Sequence, residues 1–189
     1  FGYASGGTST YPTVRNTVDK YSHSTDQNAT DVGDLTVSRG YVSGQSSTTN
    51  GYISGGLTPP GYTGSNVIDK FPFSTDENAT DVGDVTVARW GLSGTSSTSH
   101  GYATDGYSGS YYNIIEKFSF SSDGNASDVG DLTISKSSRA GITSMTHGYA
   151  AGGSPADNTI ERYPFAADDN ASDVGNLSAT IVAASGNQG

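Results

Sequence analysis

Apolar and polar residues alternate over short stretches of this chain, and glycine pairs or Asx-rich turns keep interrupting the alternation. In Asn158-Thr159-Ile160-Glu161-Arg162-Tyr163 the alternation predicts a half-buried strand. Tyr3-Ala4-Ser5-Gly6-Gly7 predicts a short strand closed by paired glycines, which permit positive φ or close backbone approach. Val32-Gly33-Asp34-Leu35 predicts another short strand. Gly40 to Thr49, rich in Ser, Thr and small residues, predicts a further strand running into Asn50-Gly51, a local signal for a tight hairpin.

Each of these patterns recurs. A stretch carrying an acid-base pair, an aromatic, an Asx turn and Asp-Val-Gly begins at Asn16, Asn66, Asn113 and Asn158. Its aromatics are Tyr21, Phe71, Phe118 and Tyr163. A Gly-Tyr pair stands at Gly2, Gly51, Gly101 and Gly148, spaced by 49, 50 and 47 residues. A period of this size marks propeller blades or another repeat array. The repeats run over about 1–50, 51–100, 101–147 and 148–189 of one domain, 1–189, each with four short strands in a meander, the makeup of a propeller blade.

The order hydrophobic strand, Gly-Gly, variable loop, then Asn-Thr-Val-Asp-Lys-Tyr or Asn-Thr-Ile-Glu-Arg-Tyr resembles the kelch repeat across essentially the whole chain. The resemblance implies an all-β, kelch-like β-propeller of four blades, each of four short antiparallel strands. The tryptophan that kelch repeats carry shortly after the tyrosine is absent, which predicts smaller residues between blades. The repeats also resemble those of repetitive structural proteins of marine phages. The chain begins at the second strand of a blade and stops within a first strand. That phase predicts a ring closed by the C-terminal strand, with Ala179 to Ser185 paired to the strand around Tyr3. Two chains building one larger ring is the other arrangement.

Composition changes the picture little. The hydrophobic share is 32% with 26 Gly, which alone would suggest disorder, but the apolar residues recur at fixed positions. A net charge of −10 repels phosphate backbones, so nucleic acid is not an expected partner. No apolar run approaches the roughly 20 residues of a membrane-spanning helix, so membrane insertion is not expected. The absence of cysteine excludes disulfides and thiolate metal sites. A chain that begins at Phe1 without a signal peptide reads as processed or as a segment of something larger.

Candidate chemistry is sparse. Asp76, Asn78, Asp81 and Asp84, with their copies, supply clustered oxygens suited to calcium, but the spacing is not that of an EF-hand, and Asx turns explain the pattern equally. No cofactor is expected. Asn28-Ala29-Thr30 and its copies fit the N-glycosylation sequon. Asp19-Lys20 and its equivalents read as a solvated strand face; Arg39, Arg89 and Lys136 read as structural or as lining a central channel. His100 and His147 stand where the first repeat has Asn50, which points to turn geometry, and no Ser-His-Asp or zinc spacing accompanies them or His23. Some kelch propellers are copper oxidases that need a Cys-Tyr cross-link, which a chain without cysteine cannot form.

The loops that differ between repeats are the better candidates, since loops carry sites on a rigid frame. Tyr11, Tyr62, Tyr107, Tyr111 and Tyr112, with Trp90, are the proposed ligand-binding residues, suited to sugar faces or protein surfaces. Blade geometry predicts that they share one face, with Asn50, His100, His147 and the Asx turns on the other. The expected function is non-catalytic: a binding or structural module, extracellular or within a virion appendage, contacting glycan or a partner protein. A secreted glycan-active hydrolase or lyase on a propeller scaffold is the alternative. A deep pocket with convergent carboxylates would favour the alternative; a shallow tyrosine-lined rim would favour binding.

Overall fold

The computed structural model describes residues 1–10, 13–183 and 185–186. The described residues form antiparallel sheets and no helix. The second sheet is a meander of Ser43–Ser46, Asn50–Ser54, Thr63–Pro72 and Thr80–Arg89, with Leu57–Thr58 attached to the third of these. The third repeats the plan with Ser93–Ser96, His100–Thr104, Tyr112–Ser119 and Ser127–Lys136. The fourth does so with Ala140–Thr143, His147–Ala151, Asp157–Pro164 and Ser172–Ile181. The first has only Gly2–Ser5, Thr17–Tyr21 and Thr30–Asp34. A fifth, two-stranded sheet, Thr8–Thr10 with Thr13–Val14, lies in the first variable loop.

The ring expected from the repeat phase is not closed. Ala179 to Ile181 end the outer strand of the fourth sheet, where Ile181 pairs with Asp157. Among the described residues, Gly2–Ser5 pairs only with Thr17–Tyr21, so its inner edge is open. The reason lies in the step between sheets. The inner strands approach so closely that a Cβ on Gly94 would lie 2.3 Å from the Gly44 carbonyl oxygen, and one on Gly141 2.3 Å from that of Gly94. A Cβ on Gly186 would likewise lie 2.5 Å from the Gly141 carbonyl oxygen. Ser185-Gly186 thus takes the next place in the same stack instead of returning to the first sheet.

The core lies between sheets. Val18, Leu35, Ile53, Phe71 and Ala79 fill the first gap, with Tyr3, Val32 and Phe73 packed on them. Tyr52, Ile68, Val85, Ala103, Phe118 and Ala126 fill the second. Tyr102, Ile115, Leu132, Ala150, Tyr163 and Ala171 fill the third. The expectation of small residues between sheets is therefore wrong. An aromatic trio stands in each gap: Tyr3–Phe71–Phe73, Tyr52–Phe118–Phe120 and Tyr102–Tyr163–Phe165, with ring centroids 4.8 to 6.1 Å apart.

The constant motifs follow from this packing. The glycine of each Gly-Tyr pair sits under the repeat's aromatic: a Cβ on Gly51 would meet the Phe71 ring at 2.3 Å, and Gly101 and Gly148 meet Phe118 and Tyr163 equally closely. Asp-Val-Gly is a β-bulge. Asp81 pairs with Asp69 and Gly83 with Ile68, leaving Val82 as the extra residue turned toward the next gap. The hairpin before each Gly-Tyr also departs from expectation. Asn50 already belongs to the strand, and Ser47 makes the turn, its Oγ accepting the N–H of Asn50 at 2.9 Å and of Thr49 at 3.2 Å.

The acid-base pair is not a solvated face. Asp69, Glu116 and Glu161 are fully buried, and each meets a buried arginine from the preceding repeat: Arg39, Arg89 and Arg139. Arg39 donates to Asp69 Oδ2 at 2.8 Å and to the carbonyls of Gly55, Val67 and Ile53 at 2.8 to 3.1 Å. Arg139, not Lys136, fills this role in the third repeat. These arginines tie sheet to sheet and do not line a channel. The lysines reach the other way, Lys20 to Asp76 at 2.8 Å, Lys70 to Asp123 at 2.6 Å and Lys117 to Asp168.

Candidate functional site

One face carries an aromatic ladder. The chain leaves the second sheet at Arg89, and Trp90 forms a bridge with Tyr107, each N–H donating to the other's carbonyl at 3.1 and 2.8 Å. Tyr107 bridges in turn to Tyr111 within the third variable loop. The rings follow the backbone: Tyr41 to Trp90 is 5.5 Å between centroids, Trp90 to Tyr107 5.2 Å, and Tyr107 to Tyr111 5.0 Å. Tyr41 is 50% exposed and Tyr111 37%. Four rings in unbroken contact thus span three repeats at the surface.

Tyr41 was not among the residues expected from the sequence. It aligns with Gly91 and Ser138, and all three hold positive φ, 53°, 68° and 55°. A left-handed backbone is unfavourable for a bulky side chain and costs about 1–3 kcal/mol where it persists. A tyrosine at a position that glycine fills in the next repeat was the legible signal.

The other expected residues divide. Trp90, Tyr107 and Tyr111 come together as anticipated. Tyr112 does not join them: its ring lies 6.0 Å from the buried Arg89 guanidinium, a structural cation–π contact. Tyr62 lies half-buried in the second variable loop with φ 52°. Tyr11 lies outside the described residues.

The opposite face holds the hairpins and Asx turns, joined by bonds such as Phe73 N–H to Thr49 carbonyl at 2.9 Å. His100 and His147 accompany turn hydroxyls, their Nδ1 atoms 2.8 Å from Ser99 Oγ and Thr146 Oγ1. Burial, then the nearby Lys117 charge, lowers the His100 pKa. Three of the four calcium candidates are engaged through their side chains within the fold. Asn78 Oδ1 accepts the Asp34 N–H at 3.0 Å across the sheet gap, Asp81 Oδ1 accepts Gly83 N–H at 3.1 Å across the bulge, and Asp76 binds Lys20. Among the described residues, no three His, Cys, Asp or Glu side chains converge as a metal site.

Hollows open on both faces of the described residues. One of about 340 Å³ lies beside the ladder, with Tyr41, Leu92 and Arg139 among its walls. The larger, about 790 Å³, opens on the hairpin side and is lined by Tyr3, Gln45, Phe71, Phe73, the 46–48, 96–98 and 143–145 turns, and neighbouring Ser and Gly residues. No carboxylate, histidine, lysine or arginine lines it.

No family model and no curated protein matches the chain. Among solved structures, that of YjhT superposes with a TM-score of 0.75 at 13% identity, covering 96% of this chain and 68% of that one. At this identity the likeness shows the fold alone: an all-β, β-propeller-like stack of antiparallel sheets.

Proposed function

We propose that this protein is a non-catalytic binding module on a kelch-like scaffold, and that the Tyr41–Trp90–Tyr107–Tyr111 ladder docks the apolar face of a surface glycan. The observation that carries the reading is the ladder itself: four touching rings, three of them joined by backbone bridges, on the face where the repeats differ most. Aromatic faces present apolar area at low entropic cost with a polar edge for hydroxyl groups. The fold supplies rigidity, because inter-sheet arginines and aromatic trios fix each repeat to the next. A setting outside the cell or on a virion appendage suits such a module. The hydrolase or lyase alternative asks for convergent carboxylates in a deep pocket, and the 790 Å³ cavity has none.

A glycan array on the chain, compared with the Trp90→Ala variant, tests the reading. The variant should weaken capture about tenfold or more, as removal of a central aromatic does, and leave the melting temperature nearly unchanged. A ligand footprint on the Asn50–His100–His147 face would refute it. A protein ligand retained on the same rings would keep the site and change the partner class.

A further inference from the structure

Among the described residues, the outer faces of the first and fourth sheets are unpaired halves of an interface that is made three times internally. At each internal gap the leading sheet offers a valine from the bulge, a strand apolar, and the backbone around Asp34, Asp84 or Asp131. The following sheet offers an aromatic, an alanine and an Asx turn. Ala79, Ala126 and Ala171 each donate an N–H to the carbonyl of Asp34, Asp84 and Asp131 at 2.8 Å. Asn78, Asn125 and Asn170 each accept the N–H of the same three residues at 2.9 to 3.0 Å.

At the fourth sheet the leading half is uncovered. Val174 is 43% exposed, Ile160 and Leu177 are half-buried, and Arg162 is exposed and forms no ion pair among the described residues. A Cβ on Gly175 would meet nothing within 4 Å, whereas on Gly33, Gly83 or Gly130 it would strike the neighbouring turn at 2.3 to 2.6 Å. At the first sheet the following half is uncovered: Ala4, Asp26, Asn28 and Ala29 are exposed. Among the described residues no inner strand pairs with Gly2–Ser5. Gly44 faces open space, its hypothetical Cβ reaching only Ile53 at 4.0 Å, and Ser185-Gly186 waits at the far end in the inner-strand position.

We infer that these halves bind each other between two copies of this chain, head to tail. Ser185-Gly186 of one copy adds to the open edge of Gly2–Ser5 of the other and lies over Gly44, roofing the first-sheet side of the large cavity. Val174, Ile160 and Leu177 pack on Tyr21, Ala4 and Ala29. Arg162 meets Asp26, as Lys20, Lys70 and Lys117 meet Asp76, Asp123 and Asp168. One difference sets the strength. Ile181 aligns with Arg39, so Asp19 receives no buried guanidinium and keeps only the Ser178 N–H and hydroxyl, as Asp69 has those of Thr36. The intermolecular contact is therefore weaker than its internal copies. Such a heterologous contact closes into a ring or continues as a filament. Two copies supply eight sheets, within the usual range of about 4–8 propeller blades. The inference does not depend on the glycan reading.

Light scattering and sedimentation of the 189-residue chain across concentration test it. The expected species has twice the mass of one chain and dissociates on dilution. Gly44→Ala and Ala29→Arg leave the circular dichroism and the dilute-limit melting temperature unchanged, and each raises the dimer Kd about tenfold or more. Arg162→Asp weakens association, and Asp26→Arg in the partner restores it. Longer species equally sensitive to Gly44→Ala support the same surface. A monomer up to about 1 mM, where association would fall short of ~4 kcal/mol, overturns it and leaves these faces to flanking repeats or another protein. So does a dimer indifferent to Gly44→Ala, Ala29→Arg and the charge swap.

Discussion

Phe71 and Tyr21 occupy the same place in successive repeats, yet Phe71 is 4% exposed and Tyr21 43%. Each covers the glycine of its own Gly-Tyr pair. The difference is what stands in front of the ring. Phe71 faces Tyr3, Val18 and Leu35 of the preceding sheet, while among the described residues no sheet packs in front of Tyr21. Asp69 and Asp19 differ in the same way, one fully buried against Arg39 and the other half-exposed. In a stacked-sheet protein the repeat motif specifies half an interface, and the neighbour decides whether it becomes core.

The largest test of that contrast is truncation at the paired positions. Phe71→Ala should destabilise by about 3–5 kcal/mol, the usual range for a buried phenylalanine. Tyr21→Ala in the isolated chain should lower stability by about 1 kcal/mol or less, closer to a surface substitution. Urea unfolding of both variants at low concentration measures the gap. Equal losses would mean that the first sheet is covered in solution. A gap that narrows as concentration rises would place the second copy over Tyr21.

Much of this architecture was legible in the sequence. The meanders of the second, third and fourth sheets, the Gly-Tyr strands, the variable-loop face and the place of Trp90, Tyr107 and Tyr111 all follow from repeat alignment. What was not legible concerns partners distant in the chain. Whether Asp69 faces water or Arg39 depends on residues 30 positions apart meeting across a gap. Strand alternation predicts one buried face, but an internal sheet is covered on both, so Ile68 and Asp69 are both fully buried. Ring closure depends on the angle accumulated over several sheet steps, which no local motif encodes. Tyr41 was overlooked because its neighbour Gly40 drew the comparison with Trp90.

An intermediate effect is expected at Asp105, where the third repeat breaks the Gly-Gly pattern. Its equivalents Gly55 and Gly152 have φ 63° and 68°, and Asp105 holds 61°. The carboxyl is fully buried, bonded to Thr104 Oγ1 at 2.9 Å, with Arg139 Nε 3.8 Å from Oδ1 and Glu161 nearby. Burial pushes its pKa up to about 7, against the lowering by Arg139. The folded state therefore holds a proton that the unfolded chain, with an ordinary value of 3.8, releases. Stability from this group is full below that ordinary value and is lost as pH rises toward 7 and through it. Asp105→Gly should remove that slope, relieve a strained left-handed residue, and raise the melting temperature most above pH 7. A melting temperature measured from pH 4 to 8 checks it; a wild-type profile unchanged by the substitution would assign the slope to other groups.

The smallest expected effect separates the two kinds of ionic link between sheets. Arg39–Asp69 is fully buried, whereas Lys70 meets an Asp123 side chain that is 58% exposed. Water and salt screen the second pair, and exposed pairs are worth about 0.2–1 kcal/mol. Lys70→Ala should thus shift stability by less than about 1 kcal/mol, with the shift fading as salt is raised toward 1 M, where the screening length falls to about 3 Å. Unfolding at low and high salt, on wild type and Lys70→Ala, makes the measurement. A salt-insensitive loss of several kcal/mol would show instead that the lysine's methylene stem packs in the gap, and that the outer rim of each interface bears more of the stack than the buried arginines suggest.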